Sequence, residues 1–250
     1  MRDWLEPAAL ALRFLSRLAL PGEEMDRFAY DLPRALAFFP LAGALLAGLS
    51  ALVLLAAAQV FPLYLAVLLA LAFDAWLGRG LHEDAVADLA DGLGGGRTPE
   101  DVLRIMKDSR VGAFGVLALG FAAALRGAGL VALEEAWRAA LVLVVAGATA
   151  RLLMLAVLWR VPALPGLGGQ VAAAMDGARF LQALGFAAPV LLLGAWFSLE
   201  GMVALLALSL LFFAWYSALL RRRMGGSNGD AMGAAATAGM VLAPLAFAAW

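Results

Sequence analysis

From residue 35 onward the chain is a series of apolar runs joined by short polar segments, lying near 35–58, 62–78, 112–133, 137–158, 182–199, 202–220 and 231–250. Each is close to the ~20 residues an α-helix needs to cross the hydrocarbon of a bilayer. In lipid, every backbone N–H and C=O must be satisfied inside the structure, so only helices and closed barrels cross. Runs this long without strict alternation are helices. Apolar residues make up 64% of the chain and charged residues 15%, against about 25% charged in soluble domains. The expectation is an all-α, polytopic membrane helical bundle of about seven transmembrane helices, with residues 1–250 as a single integral membrane domain.

Residues 3–20 differ from the runs that follow. Asp3, Glu6, Arg13 and Arg17 alternate with apolar positions, the pattern of an amphipathic helix lying at the membrane interface. No small-residue cleavage site follows a compact apolar core, so this is no cleaved signal. The distribution of Lys and Arg sets the orientation. With an inside N-terminus, the inner segments 1–34, 79–111, 159–181 and 221–230 carry Arg2, Arg13, Arg17, Arg27, Arg34, Arg79, Arg97, Arg104, Lys107, Arg110, Arg160, Arg179, Arg221, Arg222 and Arg223. Only Arg138 lies at an outer edge, while Arg126 and Arg151 fall within spans. Every long polar loop is therefore expected on the cytoplasmic side of the cell (inner) membrane. The chain has no cysteine, which excludes disulfides and thiolate metal sites, and no internal repeat of the inverted-repeat transporter kind. No nucleic-acid partner is expected.

The densest polar stretch is 79–111. Asp84, Asp88 and Asp91 stand at i, i+4 and i+7, so on a helix their carboxylates project from one face and repel. A hard divalent cation resolves that repulsion, and Mg²⁺ combines a few carboxylates with waters and substrate phosphates. Gly92-Leu93-Gly94-Gly95-Gly96-Arg97 follows, readable as a flexible linker or as a turn whose bare amides approach a phosphate. Thr98-Pro99-Glu100-Asp101 has the form of an N-cap, Pro at N1 and an acidic first turn. The helix it opens ends in Lys107-Asp108-Ser109-Arg110. Carboxylates, glycine turn and basic residues together suit phosphoryl transfer. His82, the one histidine, is either a structural hydrogen-bonder or a functional group beside the acidic face.

Two further sites are polar inside apolar surroundings. Asp74 lies in the run 62–78, where a carboxylate is costly; it is either neutralised by Arg79 or Arg151, or functional. The segment 221–233 joins two spans. Its arginines anchor to headgroups or face a ligand, its glycines allow tight backbone folding, and Asp230 completes a metal site or caps the next helix.

These blocks together resemble one family, the membrane-bound cobalamin synthases (adenosylcobinamide-GDP ribazoletransferases). Its members carry G-x-H-x-D-G-x-A-D-x-x-D-G, then E-I-M-K/R-D-S-R-x-G, and near the C-terminus G-G-x-T-G-D-x-L-G-A. The counterparts are Gly80 to Gly92, Arg104 to Gly112 and Gly225 to Ala234. Phe14-Leu15-Ser16-Arg17-Leu18 and Phe39-Pro40-Leu41-Ala42-Gly43 are also similar to family segments, so the likeness covers nearly the whole chain. Ala85 stands for a usual glycine, Asn228 for a usual threonine, and Thr237 and Met240 for expected glutamates. Asp88-x-x-Asp91-Gly92 also looks like the start of the CDP-alcohol phosphotransferase signature, whose remainder is absent.

The resemblance implies an enzyme that joins adenosylcobinamide-GDP to α-ribazole, or to its 5′-phosphate, with release of GMP. It implies Asp84, Asp88 and Asp91 as the holders of Mg²⁺ on the diphosphate, with one of them or His82 receiving the hydroxyl proton. Arg110, Lys107 and Arg97 would stabilise the leaving GMP and Asp108 would orient them. Ser109, Gly225, Gly226, Asn228 and Asp230 would contact substrate, Asp230 as a further metal or ribose contact. Partners beyond the substrates would be the lipid bilayer, other corrinoid-assembly enzymes and a second copy of the chain. A transporter or ion-coupled carrier is the alternative, motivated by Asp74, Arg126 and Arg151 within spans; a non-catalytic scaffold is another.

Overall fold

The computed structural model describes residues 2–18, 28–165 and 171–250, and its regular elements among them are helical. In chain order they are α1 (Arg2–Leu15), α2 (Phe28–Ala35), a 3-10 turn (Leu36–Phe38), α3 (Phe39–Ala57), α4 (Leu63–Leu77), α5 (Leu81–Gly95), α6 (Pro99–Ile105), α7 (Ala113–Val131), α8 (Ala136–Arg160), α9 (Gly177–Phe197), α10 (Leu199–Arg223) and α11 (Gly229–Ala248). The end of the expected 3–20 helix and parts of the segments 1–34 and 159–181 lie outside the described residues.

Six helices are long and apolar enough to cross a bilayer: Leu32–Ala57, α7, α8, α9, α10 and α11. They match six of the seven expected runs, with ends moved to where a side chain caps them. Asp176 accepts from the Arg179 amide at 2.8 Å and starts α9 five residues before the apolar run. Ser198 accepts from Gly201 N–H at 2.9 Å and both ends α9 and opens α10. The seventh run gives α4, about 22 Å long at 1.5 Å per residue, short for a span. Its first half nonetheless packs with Leu54, Leu130 and Leu143 at one end of the bundle, and Leu77 packs with Leu15, Leu36 and Leu89 at the other. After α4 the chain turns through 87° into α5.

α8 is the central post, buried along most of its length against α3, α9 and α11. Without a hydrophobic driving force between helices in lipid, close approach of small residues supplies the packing. A Cβ on Gly43 would lie 2.3 Å from the Gly147 carbonyl oxygen, so α3 and α8 touch backbone to backbone there. α9 and α10, mostly exposed, form the periphery. α1 turns Leu10, Ala11 and Leu15 into the core, so at these positions its apolar face is covered by the bundle.

Asp74 forms its ion pair with neither expected arginine, although the charge of Arg151 acts on it from nearby. Arg126 of α7 donates to it at 2.8 Å and Ser50 of α3 at 3.1 Å. Arg79 turns instead to α1, donating to the Arg13 and Phe14 carbonyl oxygens, while Arg151 makes no ion pair with Asp74.

Candidate functional site

α5 carries His82 and the three candidate aspartates, wedged between α7 and α11 at the end of the bundle that also holds α1 and α6. Its 87° bend away from α4 keeps it from continuing that crossing. Asp84 is exposed, Asp88 half-buried and Asp91 buried. The three therefore share a face but not an environment.

Asp91 belongs to α7. Its two carboxylate oxygens accept from Gly112 N–H at 2.6 Å and Gly115 N–H at 2.8 Å, capping the α7 N-terminus from a neighbouring helix. A Cβ on either glycine would sit 2.5 Å from a carboxylate oxygen, so the glycines make the bond possible. The same bond holds the segment Lys107 to Val111, just before α7, beside the acidic helix. Asp84 and Asp88 have no ion-pair partner among the described residues. Asp88 is pushed above the usual carboxylate range, first by burial and then by the charges of Asp84, Asp230 and Asp91. The charge of Asp230, 142 positions on from Asp88 in the sequence, thus acts on Asp88 alongside those of Asp84 and Asp91.

Asp230 is delivered by α11. The cap of that helix is Asn228, whose side-chain oxygen accepts from Ala231 N–H at 2.9 Å, while its amide donates to Asp230 at 3.1 Å. Of the two readings of Asp230, capping is thus taken by Asn228. Tyr216 of α10 donates to the Ala231 carbonyl oxygen at 2.7 Å and fixes the start of α11. α11 meets α5 where Gly233 faces Ala85; a Cβ on Gly233 would lie 2.5 Å from the Ala85 Cβ. The departure at Ala85 is accommodated by that bare glycine.

Among the described residues no three His, Cys, Asp or Glu side chains converge to enclose a metal ion. Mg²⁺ does not require such a cage, because it keeps waters and takes phosphate oxygens beside one or two carboxylates. Asp84 and Asp88, open and unneutralised, with Asp230 alongside, are a donor set of that kind.

The remaining candidates separate into those near this cluster and those turned away. Asp108 and Arg110, both exposed, hold each other through bonds of 3.0 and 2.7 Å, and the Asp108 carboxyl is pulled down to about 2 by these bonds. Lys107 and Ser109 are exposed beside them. Arg97 is exposed at the far end of α5, about 20 Å along the helix from Asp84. There the glycine turn is held by Arg223, which donates to the Leu93 and Gly96 carbonyl oxygens at 2.9 and 2.8 Å. Gly226 packs where a Cβ would lie 2.5 Å from the Pro162 carbonyl oxygen, and Gly225 has φ +76, so both serve the chain's own turn. His82 sits two residues and about 200° around the helix from Asp84. It is buried with both ring nitrogens unpartnered, and desolvation, then nearby Arg151, pushes its pKa down to about 3. It faces the interior as a neutral ring, not the carboxylates.

Two recesses flank α5. One, of about 590 Å³, is lined by Arg79, Gly80, Leu81, Glu83, Asp84, Ala87, Val111 and Leu119. The other, of about 420 Å³, is apolar and runs between α5, α7, α10 and α11 past Val86, Ala90 and Trp215. Sequence reasoning missed Arg79 at the polar recess. Its signal is a long cation between two glycines at the bend.

The sequence profile of the cobalamin-5-phosphate synthase family matches residues 7–248. The chain is similar to the adenosylcobinamide-GDP ribazoletransferase of Rhizobium etli (strain CIAT 652), 36% identical over 243 residues, covering 94% of this chain and 93% of the relative. It is similar to proteins of the same name from Leptothrix cholodnii, 36% identical over 90% and 88% of the two chains, and Mesorhizobium japonicum, 38% identical over 93% and 89%. No solved structure matches.

Proposed function

The chain belongs to the cobalamin-5-phosphate synthase family, and from that premise we propose that it joins adenosylcobinamide-GDP to α-ribazole or α-ribazole 5′-phosphate. A ribose hydroxyl of the acceptor attacks the cobinamide-side phosphorus. A new P–O bond forms, the bridging P–O bond to the guanylyl group breaks, and GMP leaves with the bridging oxygen. The hydroxyl proton passes to a carboxylate of the open pair, Asp84 or Asp88. The buried ring of His82 is on the wrong face for that transfer, which leaves it to the open carboxylates.

The observation that carries this reading is that Asp84 and Asp88 are paired with no cation among the described residues, while the charge of Asp230 reaches Asp88 from a helix distant in sequence. These residues would hold Mg²⁺, which when bound supplies positive charge to diphosphate oxygens. The recess beside Asp84, rimmed by Arg79, offers room for the diphosphate. Lys107 and Arg110, held nearby through Asp91 and Gly112, face the charge that develops on the leaving phosphate. A corrinoid is large and amphipathic, which suits a site at the edge of a multi-pass bundle with an apolar recess next to a polar one. The positive-inside bias supports the cytoplasmic face of the inner membrane.

The test is GMP release by the purified full chain in detergent from adenosylcobinamide-GDP and α-ribazole, with and without Mg²⁺. Turnover is expected only with the divalent ion and without any gradient. Metal-independent turnover, or full activity in both Asp84→Asn and Asp88→Asn, overturns the assignment. The carrier reading gains nothing from Asp74 and Arg126, which are closed on each other.

A further inference from the structure

Arg79 and Glu134 are the non-glycine residues with positive φ among the described residues, and Arg79, at φ 60, stands in the bend between α4 and α5. Left-handed backbone is sterically costly for any residue with a Cβ. Glycine lies on both sides of Arg79, so a bend needing only this backbone would have glycine here too. What Arg79 adds is its side chain.

That side chain reaches α1. Its Nη2 donates to the Arg13 and Phe14 carbonyl oxygens at 3.2 Å each, both in the last turn of α1. The arrangement is reciprocal. Beyond the end of α1, Arg17 donates its backbone N–H to the Leu77 carbonyl oxygen at 2.9 Å and its Nε to the Trp76 carbonyl oxygen at 2.5 Å. Its guanidinium also lies over the Trp76 ring, 4.3 Å from the centroid. The C-terminal turn of each helix thus accepts from an arginine just beyond the end of the other, across about sixty residues of sequence. The bend itself, Gly78-Arg79-Gly80, is permissive, so it does not by itself set the direction in which α5 leaves it; α7 and α11 hold the body of α5, and the arginine contacts act at its Asp84 end. Arg79, Glu83 and Asp84 border the same recess.

We propose that Arg79 is a positioning residue: with Arg17 it locks the N-terminal helix α1 to the α4–α5 bend and so fixes the angle at which α5 presents Asp84 and Asp88. The lock stands on geometry alone; its consequence for catalysis rests on the transferase reading. Small misplacements of catalytic groups cost about a hundredfold in rate.

The experiment compares Arg79→Gly, Arg17→Ala and the double variant with the parent, all full chain in phosphatidylglycerol-containing nanodiscs. Amide hydrogen exchange is measured, along with kcat and KM for GMP release. Glycine removes the side chain and relieves the backbone at once, so a residue needed only for the turn would be improved by it. The expected result is exchange at least tenfold faster in residues 11–18 and 76–81 with α8 unchanged, and kcat down about tenfold or more with KM within twofold. The double variant should be no worse than the poorer single, because both changes open one junction. Unchanged exchange at α1 overturns the lock, as does exchange rising equally in α8, which would make Arg79 a general stabiliser. A rise in KM at constant kcat would make it a substrate ligand instead. If the parent releases no GMP, the transferase reading fails while the exchange result still decides the lock.

Discussion

Asp74 and Asp91 on one side, and Asp84, Asp88 and Asp230 on the other, are the same chemical group in two conditions. Asp74 has Arg126 at 2.8 Å and Ser50 at 3.1 Å; Asp91 has two glycine amides at 2.6 and 2.8 Å. Their charges are answered by the protein itself. Asp84, Asp88 and Asp230 are paired with no cation among the described residues, and a single Asn228 amide donates to Asp230. Folding has placed like charges together without an internal answer, which is stable only with something cationic present or at a cost the fold tolerates for function. The lesson is that a carboxylate's neighbours, not its position in a motif, separate scaffold from site.

The sharpest way to break the comparison is to neutralise one member of each kind. Asp88→Asn and Asp84→Asn should each lower GMP release by about a thousandfold, or about 4 kcal/mol in transition-state stabilisation, with the melting temperature retained. Asp74→Ala should do the reverse. Removing one partner of a buried pair strands the other charge, at about 3–5 kcal/mol, so the variant should be recovered in poor yield or melt far lower. Arg126→Met combined with Asp74→Leu should restore much of that stability, as seen by thermal unfolding in detergent. A stable Asp74→Ala protein lacking activity would move Asp74 into the site.

Asp91→Asn is the intermediate case. An amide keeps one acceptor but sets its NH₂ against a glycine N–H, so α7 loses part of its cap, about 1–2 kcal/mol. Activity should fall about tenfold through displacement of residues 107–111. A thousandfold loss at unchanged melting temperature would place Asp91 with the open carboxylates.

How much of this was legible before the structure differs by scale. The spans were, because hydrophobic run length is a local property; their ends moved by up to five residues, furthest where Asp176 supplies the cap of α9. Helical periodicity put Asp84, Asp88 and Asp91 on one face, and the same periodicity turns His82 away from them. The fate of Asp91 was not legible, since it depends on amides at Gly112 and Gly115 that α6 folds back to reach. Nor was the partner of Asp74: Arg79 and Arg151 were the expected choices, and the geometry of α7 supplied Arg126 from 52 positions away. Asn228, three residues before the Ala231 amide, carried a readable cap signature that left Asp230 free.

The smallest expected effect is also the most direct reading of the open cluster. The pKa of Asp88 is held above the ordinary aspartate value of 3.8 by burial and by Asp84, Asp230 and Asp91. A carboxyl whose folded pKa is raised contributes stability below about pH 3.8 and loses it as pH rises through the raised value. At pH 7, therefore, the metal-free protein carries an unrelieved repulsion. Adding millimolar Mg²⁺ should raise the melting temperature by about 2–4 °C at pH 7, equivalent to about 1 kcal/mol. The rise should shrink as pH falls through the raised value, because protonation removes the repulsion and the cation's ligand together. Asp88→Asn should melt slightly higher than the parent without Mg²⁺ at pH 7 and gain little on adding it, since the charge that opposed folding is also the one the cation needs. A Mg²⁺-dependent rise of the same size in Asp88→Asn would show that the ion acts elsewhere on the chain, and the division between answered and open carboxylates would lose its chemical meaning.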